Sequence, residues 1–257
     1  MKDLLIIGPF PPLFSHGGPT KSINGLNSIF SSSNIDFSIL SPNSNLDGSK
    51  IKNINKSNNI FYRTNQSVFL LKNFHKYEII WINSFFDLKL LLLLLIRLFF
   101  NFQLVVSPRG QLSQEAISTS NPTQKQIFIQ TIRLFKNYFL FHTTSDSETK
   151  NVKAIFKTIK YKQISNSFNL NYKFNNVTKR RFIFYSRIHK KKGLDILLST
   201  IQKYNIKIEL DIYGFIEDKD YWKKCENYIN DIKGVNYMGS LDDGDITKLN
   251  NKNSFFI

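Results

Sequence analysis

FIFYSRIHKKKGLDILLSTIQKYNIKIELDIYG, residues 182–214, decides the fold. Phe182 to Tyr185 is a continuous apolar run, and Ser186 to Gly193 is a polar, basic loop. Leu194 to Tyr204 then has its apolar residues at helical spacing, and Ile208 to Tyr213 is a second apolar run ending on Gly214. Strand, loop, amphipathic helix and strand in that order form a β-α-β unit. Runs that are continuous rather than alternating suit a parallel sheet buried on both faces.

The same alternation extends in both directions. Before it, strands are expected at Leu4 to Ile7, Phe37 to Leu40, Ile60 to Tyr62, Ile79 to Ile82, Leu104 to Val106, Tyr138 to His142 and Tyr161 to Ile164. Helices are expected from about Lys21, through the Leu-rich stretch Leu88 to Phe100, over Gln124 to Lys136, and from Ser145 to about Thr158. Ser145 and Glu148 have the spacing of a capping box, so Glu148 is assigned a structural role. After the decisive unit come a helix at Tyr221 to Ile232, a strand at Val235 to Met238, a short helix near Asp245 to Asn250, and Ser254 to Ile257 as the start of another strand. The polar, Asn-rich stretch between the two series reads as a linker. The expected organisation is an α/β chain with an N-terminal domain at 1–166, a linker at 167–180 and a C-terminal domain at 181–257. Both domains are doubly wound and Rossmann-like, with ligand chemistry at the carboxyl ends of the strands and in the cleft between domains. The second series reads as incomplete at its C-terminus.

Composition narrows the function classes. The chain of 257 residues is 42% hydrophobic and has 35 Lys and Arg against 19 Asp and Glu, a formal charge of +16. That much apolar material excludes wholesale disorder. The single cysteine, Cys225, excludes an internal disulfide framework and a cysteine zinc cage, and it fits a reducing compartment. Only Ala116 and Ala154 are alanine while Asn, Lys, Ile and Phe abound. That skew resembles AT-rich coding, so part of the charge is discounted. Lys89 and Arg97 interrupt the Leu-rich stretch, which falls short of the ~20 apolar residues needed to span a bilayer. It reads as a buried helix, with in-plane membrane contact as the alternative.

The charge is concentrated. Thr149 to Leu194 contains thirteen Lys or Arg and no Asp or Glu. Such a block attracts phosphate, nucleic acid or anionic lipid, although on the helix side of it a solvated face is an equal reading. No helix-turn-helix, zinc finger or RNA-binding aromatic motif accompanies it.

Three loops could carry chemistry. Gly17 and Gly18 lie between the first strand and the first helix, where backbone N–H groups and the helix dipole can hold an anion; a plain tight turn explains them equally. Arg109, in Ser107-Pro108-Arg109-Gly110, follows an apolar strand at the expected carboxyl edge of the sheet. Ser186-Arg187-Ile188-His189-Lys190-Lys191-Lys192-Gly193 is the strongest. Arg187 can grip phosphate oxygens bidentately, and a Lys at a helix start, against the dipole, points to an anion there. Asp218-Lys219-Asp220 and Asp243-Gly244-Asp245 have D-x-D spacing but open expected helices, where Asp caps. The four histidines lack metal-ligand spacing, and His142 reads as a core residue.

In their order these stretches resemble the retaining glycosyltransferases of family 4. The matching pieces are GPFPPLFSHGGPTKSINGL (8–26), IIWINSFFD (79–87), SPRGQLS (107–113), FHTTSDSE (141–148), ISNSF (164–168), FYSRIHKKKGLDIL (184–197), LDIYG (210–214) and VNYMGSL (235–241). The resemblance implies the GT-B fold, two Rossmann-like domains facing a cleft, and transfer of a sugar from a nucleotide-sugar donor with retention and without a metal or cofactor. It implies that Arg187 and Lys192 hold the donor diphosphate and stabilise the leaving group. Gly17 and Gly18 would then admit donor and acceptor, Arg109 would stand beside the donor sugar where many relatives carry His, and Gly214 would border the nucleotide. Ser186 departs from the family's Gly, and the family's Glu-x7-Glu motif would follow the final SFFI.

The resulting expectation is a C-terminally truncated, hexosyltransferase-type enzyme of cell-surface polysaccharide or lipopolysaccharide biosynthesis, using a glycan or lipid-linked acceptor. It would be cytoplasmic and peripheral at the inner face of the membrane, and inactive or nearly so in this form. The alternative is a non-catalytic remnant that binds nucleotide, anionic membrane or nucleic acid through residues 149–194.

Overall fold

The computed structural model describes residues 2–10, 18–33, 35–42, 59–166, 181–241 and 254–257. The chain divides into two compact units, Met1–Asn169 and Leu170–Ile257. The expected linker, Gly17 and the expected helix near Asp245 lie outside the described residues.

In the first unit β1 (Lys2–Ile7), β2 (Phe37–Pro42), β3 (Asn59–Arg63), β4 (Tyr77–Ile82), β5 (Gln103–Val106), β6 (Leu140–Thr143) and β7 (Tyr161–Gln163) form one parallel sheet in the order β3-β2-β1-β4-β5-β6-β7. The period-2 geometry of a strand splits the continuous apolar run of β1 between two cores. Leu5 and Ile7 join the core under the helices that follow β3 to β6, and Leu4 and Ile6 join the core under α1 (Gly18–Ser31) on the opposite face. This two-sided burial explains why the strands were legible as unbroken apolar runs. β7 is an exposed edge, where Lys153 reaches over the Tyr161 ring and its hydroxyl.

Along the larger core lie α2 (Gln66–Asn73), α3 (Leu88–Phe99), α4 (Gln114–Ser118), α5 (Pro122–Leu134) and α6 (Asp146–Phe156). Their starts follow capping chemistry. Asn65, Asp87, Ser113 and Ser145 each accept a backbone N–H of the first turn, and Pro122 occupies the start of α5. At the centre, Phe85 is fully buried and packs its ring against those of Phe86, Phe128, Phe141 and Phe156.

The second unit has the sheet order β10-β9-β8-β11 from β8 (Arg181–Tyr185), β9 (Leu210–Tyr213), β10 (Val235–Gly239) and β11 (Ser254–Phe256). The expected final strand is therefore present and pairs in parallel with β8. α7 (Leu194–Lys203) and α8 (Lys219–Asp231) cover one face. They are joined by Asp195, which accepts from the Tyr221 hydroxyl at 2.8 Å and from Lys224 at 2.9 Å. In each sheet the strand order reverses beside the first strand, between β1 and β4 and between β8 and β11. Ligands of doubly wound sheets bind at the carboxyl ends of the strands at such reversals. Among the described residues no helix is long and apolar enough to cross a membrane.

Three elements differ from expectation. α2 and α4 have no counterpart in the sequence reading, and α1 begins three residues before Lys21. Removing the central aromatic contact should be costly: Phe85→Ala is expected to lose about 3–5 kcal/mol, read as a lower midpoint in urea unfolding.

Candidate functional site

At the carboxyl edge of the first sheet, the backbone brings together Gly8 after β1, Asn83 after β4, Arg109 after β5, Thr144 after β6 and Asn166 after β7. Gly8 is confined by packing, since a Cβ there would stand 2.6 Å from Ile23 Cδ1 and 3.1 Å from Asn83 Cβ. Arg109 and Gly110 are both left-handed, with φ of 53° and 74°. For Arg109 that conformation costs about 1–2 kcal/mol. The turn directs its guanidinium inward, where Nε donates to Asn83 Oδ1 and Nη1 donates to Asn166 Oδ1 at 2.6 Å. Among the described residues Nη2 is buried without a hydrogen-bond partner. Burial pulls the Arg109 pKa down to about 10, against the opposing charge of Glu148, so the group stays cationic at neutral pH.

Glu148 is buried and organises the same edge. One oxygen accepts the Gly110 N–H at 2.7 Å, and the other accepts the Thr144 N–H at 2.6 Å and its hydroxyl at 2.8 Å. Only half of the expected capping box forms. Ser145 Oγ accepts the Glu148 N–H, but the carboxylate passes Ser145 and ties the loops after β5 and β6 together. Its role is structural, as expected, and wider than a cap.

His142 is the core residue that was anticipated. The Trp81 indole donates to Ser107 Oγ at 2.7 Å, and Ser107 Oγ lies 2.8 Å from His142 Nδ1. Nε2 lies 3.0 Å from the Ile164 carbonyl, which can only accept. The consistent assignment is a neutral ring protonated at Nε2, with the Ser107 hydroxyl donating to Nδ1. Burial first, and the Arg109 charge second, hold its pKa below the ordinary value.

In the second unit the loops after β8 and β9 run as a bonded pair. Ile188 N–H donates to Phe215 O at 2.8 Å, and Glu217 N–H donates to Ile188 O at 3.2 Å. Gly214 has a demonstrable reason to be glycine, because a Cβ there would stand 1.7 Å from the Ser186 carbonyl oxygen. Arg187 is exposed at this edge and donates from Nη1 to both Glu217 oxygens, at 3.0 and 2.8 Å. Lys192 is not in the first turn of the helix. It closes a single 3-10 turn, Lys190–Lys192, which His189 caps through Nδ1, while Asp195 holds the first turn of α7. Lys192 therefore does not stand against the dipole within the first turn of α7, although its charge remains next to the Arg187 loop. Gly18 is the exposed first residue of α1 with open space around it. Asp218 is a cap, accepting the Tyr221 N–H at 3.0 Å.

The structure thus joins Arg187, Lys192 and Gly214 at one edge, and Arg109 with the helix led by Gly18 at the other. Asn83, Asn166 and Glu217 were missed, although Asn83 stands directly after an expected strand and Asn166 two residues after another. The basic block does not form one segment of structure: Lys150 to Lys162 belong to the first unit and Arg181 to Lys192 to the second. Among the described residues, no three of His, Cys, Asp or Glu come together as a metal site.

No protein-family model matches the sequence, and no curated protein matches it. Solved structures do. The HepE structure from Anabaena, in complex with UDP and glucose, matches at a TM-score of 0.70 and 16% identity over 97% of this chain and 72% of its own. The apo lipopolysaccharide outer core galactosyltransferase WaaB matches at 0.60 and 15% identity, over 99% and 72%. The UDP-GlcNAc 2-epimerase of Methanocaldococcus jannaschii matches at 0.51 and 14% identity, over 99% and 77%. At these identities the likeness defines the fold. The chain has the GT-B fold, built from two Rossmann-like α/β domains.

His142 gives a signed pH prediction. Below about pH 6.5 the unfolded imidazole binds a proton that the folded one refuses. Stability therefore falls as pH drops from there to the depressed folded value, by up to about 1.4 kcal/mol per pH unit, and it is unaffected above. Urea unfolding across that range should show the slope in the wild type and a flatter one in His142→Gln.

Proposed function

We propose that the chain is a nucleotide-sugar-dependent glycosyltransferase of the retaining family-4 type. It moves a hexose to a glycan or lipid-linked acceptor in cell-surface polysaccharide or lipopolysaccharide assembly. The observation that carries this reading is the pair of Rossmann-like sheets with a cationic side chain at the carboxyl edge of each: Arg109 in the first, Arg187 with Lys192 in the second. HepE, whose structure holds UDP and glucose, and WaaB, a galactosyltransferase, share the fold and support the choice of chemistry.

In this reading the second unit binds the donor. When the bond between the anomeric carbon and the diphosphate oxygen breaks, negative charge grows on that oxygen. Arg187 and Lys192 are fixed cations that stabilise this growing charge more than the ground state, which is what accelerates the step. Arg187 must first exchange Glu217 for phosphate. Both partners of that ion pair are about half exposed, at 48% and 40%. Such a pair is worth only about 0–1 kcal/mol, so the exchange is cheap. Gly214 lets the loops after β8 and β9 approach closely enough to present Arg187 beside the nucleotide. The first unit binds the acceptor side, with Arg109 held rigid by Asn83 and Asn166.

The epimerase shares the fold and also acts on a sugar nucleotide, so the fate of the sugar is the point to test after binding. Calorimetric titration with UDP and GDP should show one diphosphate site. Arg187→Ala/Lys192→Ala should weaken it at least about tenfold, the scale of losing a charge-assisted phosphate contact. Glu217→Gln should tighten it by no more than about fivefold. Unchanged affinity in the double variant would place the diphosphate elsewhere. Product analysis with a bound donor then separates acceptor glycosylation from epimerised sugar nucleotide.

A further inference from the structure

The Leu-rich helix α3 presents its apolar residues outward as well as inward. At about 100° per residue, Leu88, Leu92, Leu95 and Phe99 form one line along the helix within about a 60° arc. Opposite them, Leu90, Leu93 and Leu94 are buried in the core. Along the outer line Leu88 is 75%, Leu95 54% and Phe99 81% exposed. A helix that packs against a core on one side ordinarily turns a polar face to water. Here the two charged residues are placed the other way. Arg97 points back onto the Phe102 ring and the Phe100 carbonyl, and Lys89 is paired with Asp87.

Other helices of the unit extend this character. α2 packs beside α3 and exposes Val68 and Leu71, and α5 exposes Ile127 and Leu134. Together α2, α3 and α5 contain Lys72, Lys89, Arg97, Lys125 and Arg133 and no Asp or Glu. Arg97 donates to a backbone carbonyl, Lys125 to two and Arg133 to a carbonyl and an amide, so their positive charge is not cancelled by carboxylates. An apolar line on helices that carry only positive charge is complementary to one kind of surface, an anionic bilayer, with acyl chains beneath phosphate headgroups. At twelve residues α3 is about 18 Å long, too short to cross and long enough to lie in the interface.

We propose that the outer face of α3 is a membrane-docking surface that inserts Leu88, Leu95 and Phe99 at the headgroup boundary of anionic lipid. The surface differs from the basic 149–194 segment, and the proposal does not depend on the sugar-transfer chemistry.

The test is co-sedimentation of the full chain with phosphatidylcholine vesicles and with vesicles one third phosphatidylglycerol. The wild type is expected to pellet with the anionic vesicles and far less with the neutral ones. Leu88→Ser/Leu95→Ser/Phe99→Ser is expected to bind at least about tenfold more weakly, since several buried apolar side chains are lost. Its circular dichroism and UDP titration should match the wild type, which separates this result from misfolding and from any failure of the donor site. In Phe99→Trp, emission should shift to the blue when anionic vesicles are added. Absence of binding by the folded wild type would overturn the proposal. Equal binding by the triple serine variant would also overturn it, by transferring the contact to another basic surface. So would a dimer in the wild type that the triple variant dissolves without any lipid binding, because a second copy would then cover the face.

Discussion

A guanidinium buried at the point where a parallel sheet reverses its strand order is the constraint around which the first unit is arranged. A charge removed from water needs several oxygens at hydrogen-bond distance, and they must come from whatever the fold places there. For Arg109 they come from Asn83 after β4 and Asn166 after β7, so one side chain fixes the ends of two other strands. Glu148 completes the arrangement from the opposite charge. It spends its own acceptors on backbone N–H groups of the β5 and β6 loops rather than on Arg109. The edge is therefore rigid, yet among the described residues one guanidinium nitrogen has no partner, and the backbone at Arg109 is held in a conformation that favours glycine. Strained backbone and unsatisfied buried donors cluster at functional sites, which is what makes Arg109 a candidate.

The second unit solves a different problem. There the cations are on the surface, and packing is imposed through the backbone by the contact of Gly214 with the Ser186 carbonyl. A side chain at position 214 would push apart the two loops that present Arg187 and Glu217. A glycine whose φ is ordinary is thus fixed by approach distance. The same loops place Arg187 where a phosphate can displace a carboxylate with little loss.

Much of this was legible in the sequence because burial on both faces leaves a crude signal, the unbroken apolar run, and every expected strand among the described residues is present. α2 escaped because QSVFLLKN is short and its apolar residues do not repeat at helical spacing; the cap at Asn65 was its main cue. Position after a strand drew attention to Arg109 and Arg187. It could not single out Asn83 or Asn166, because in an Asn-rich chain one more asparagine after a strand has no weight. Glu148 illustrates the limit of local pattern. Its spacing from Ser145 gave the cap, and a residue 38 positions away, Gly110, supplied the other half of its role. Lys192 lies outside the helix for a related reason: a run of three lysines before Gly193 forms a tight turn of its own, and the helix starts only after it.

In the proposed function the carboxyl edge of the second sheet, led by Arg187, receives the diphosphate of a sugar nucleotide. Amide hydrogen exchange of the full chain with and without UDP-glucose and GDP-mannose tests it directly. Slower exchange is expected mainly in the loops on either side of Gly214, at Ser186 to Gly193 and Phe215 to Glu217, with at least one of the two ligands. Protection elsewhere, with these loops unchanged at saturating ligand, would contradict it.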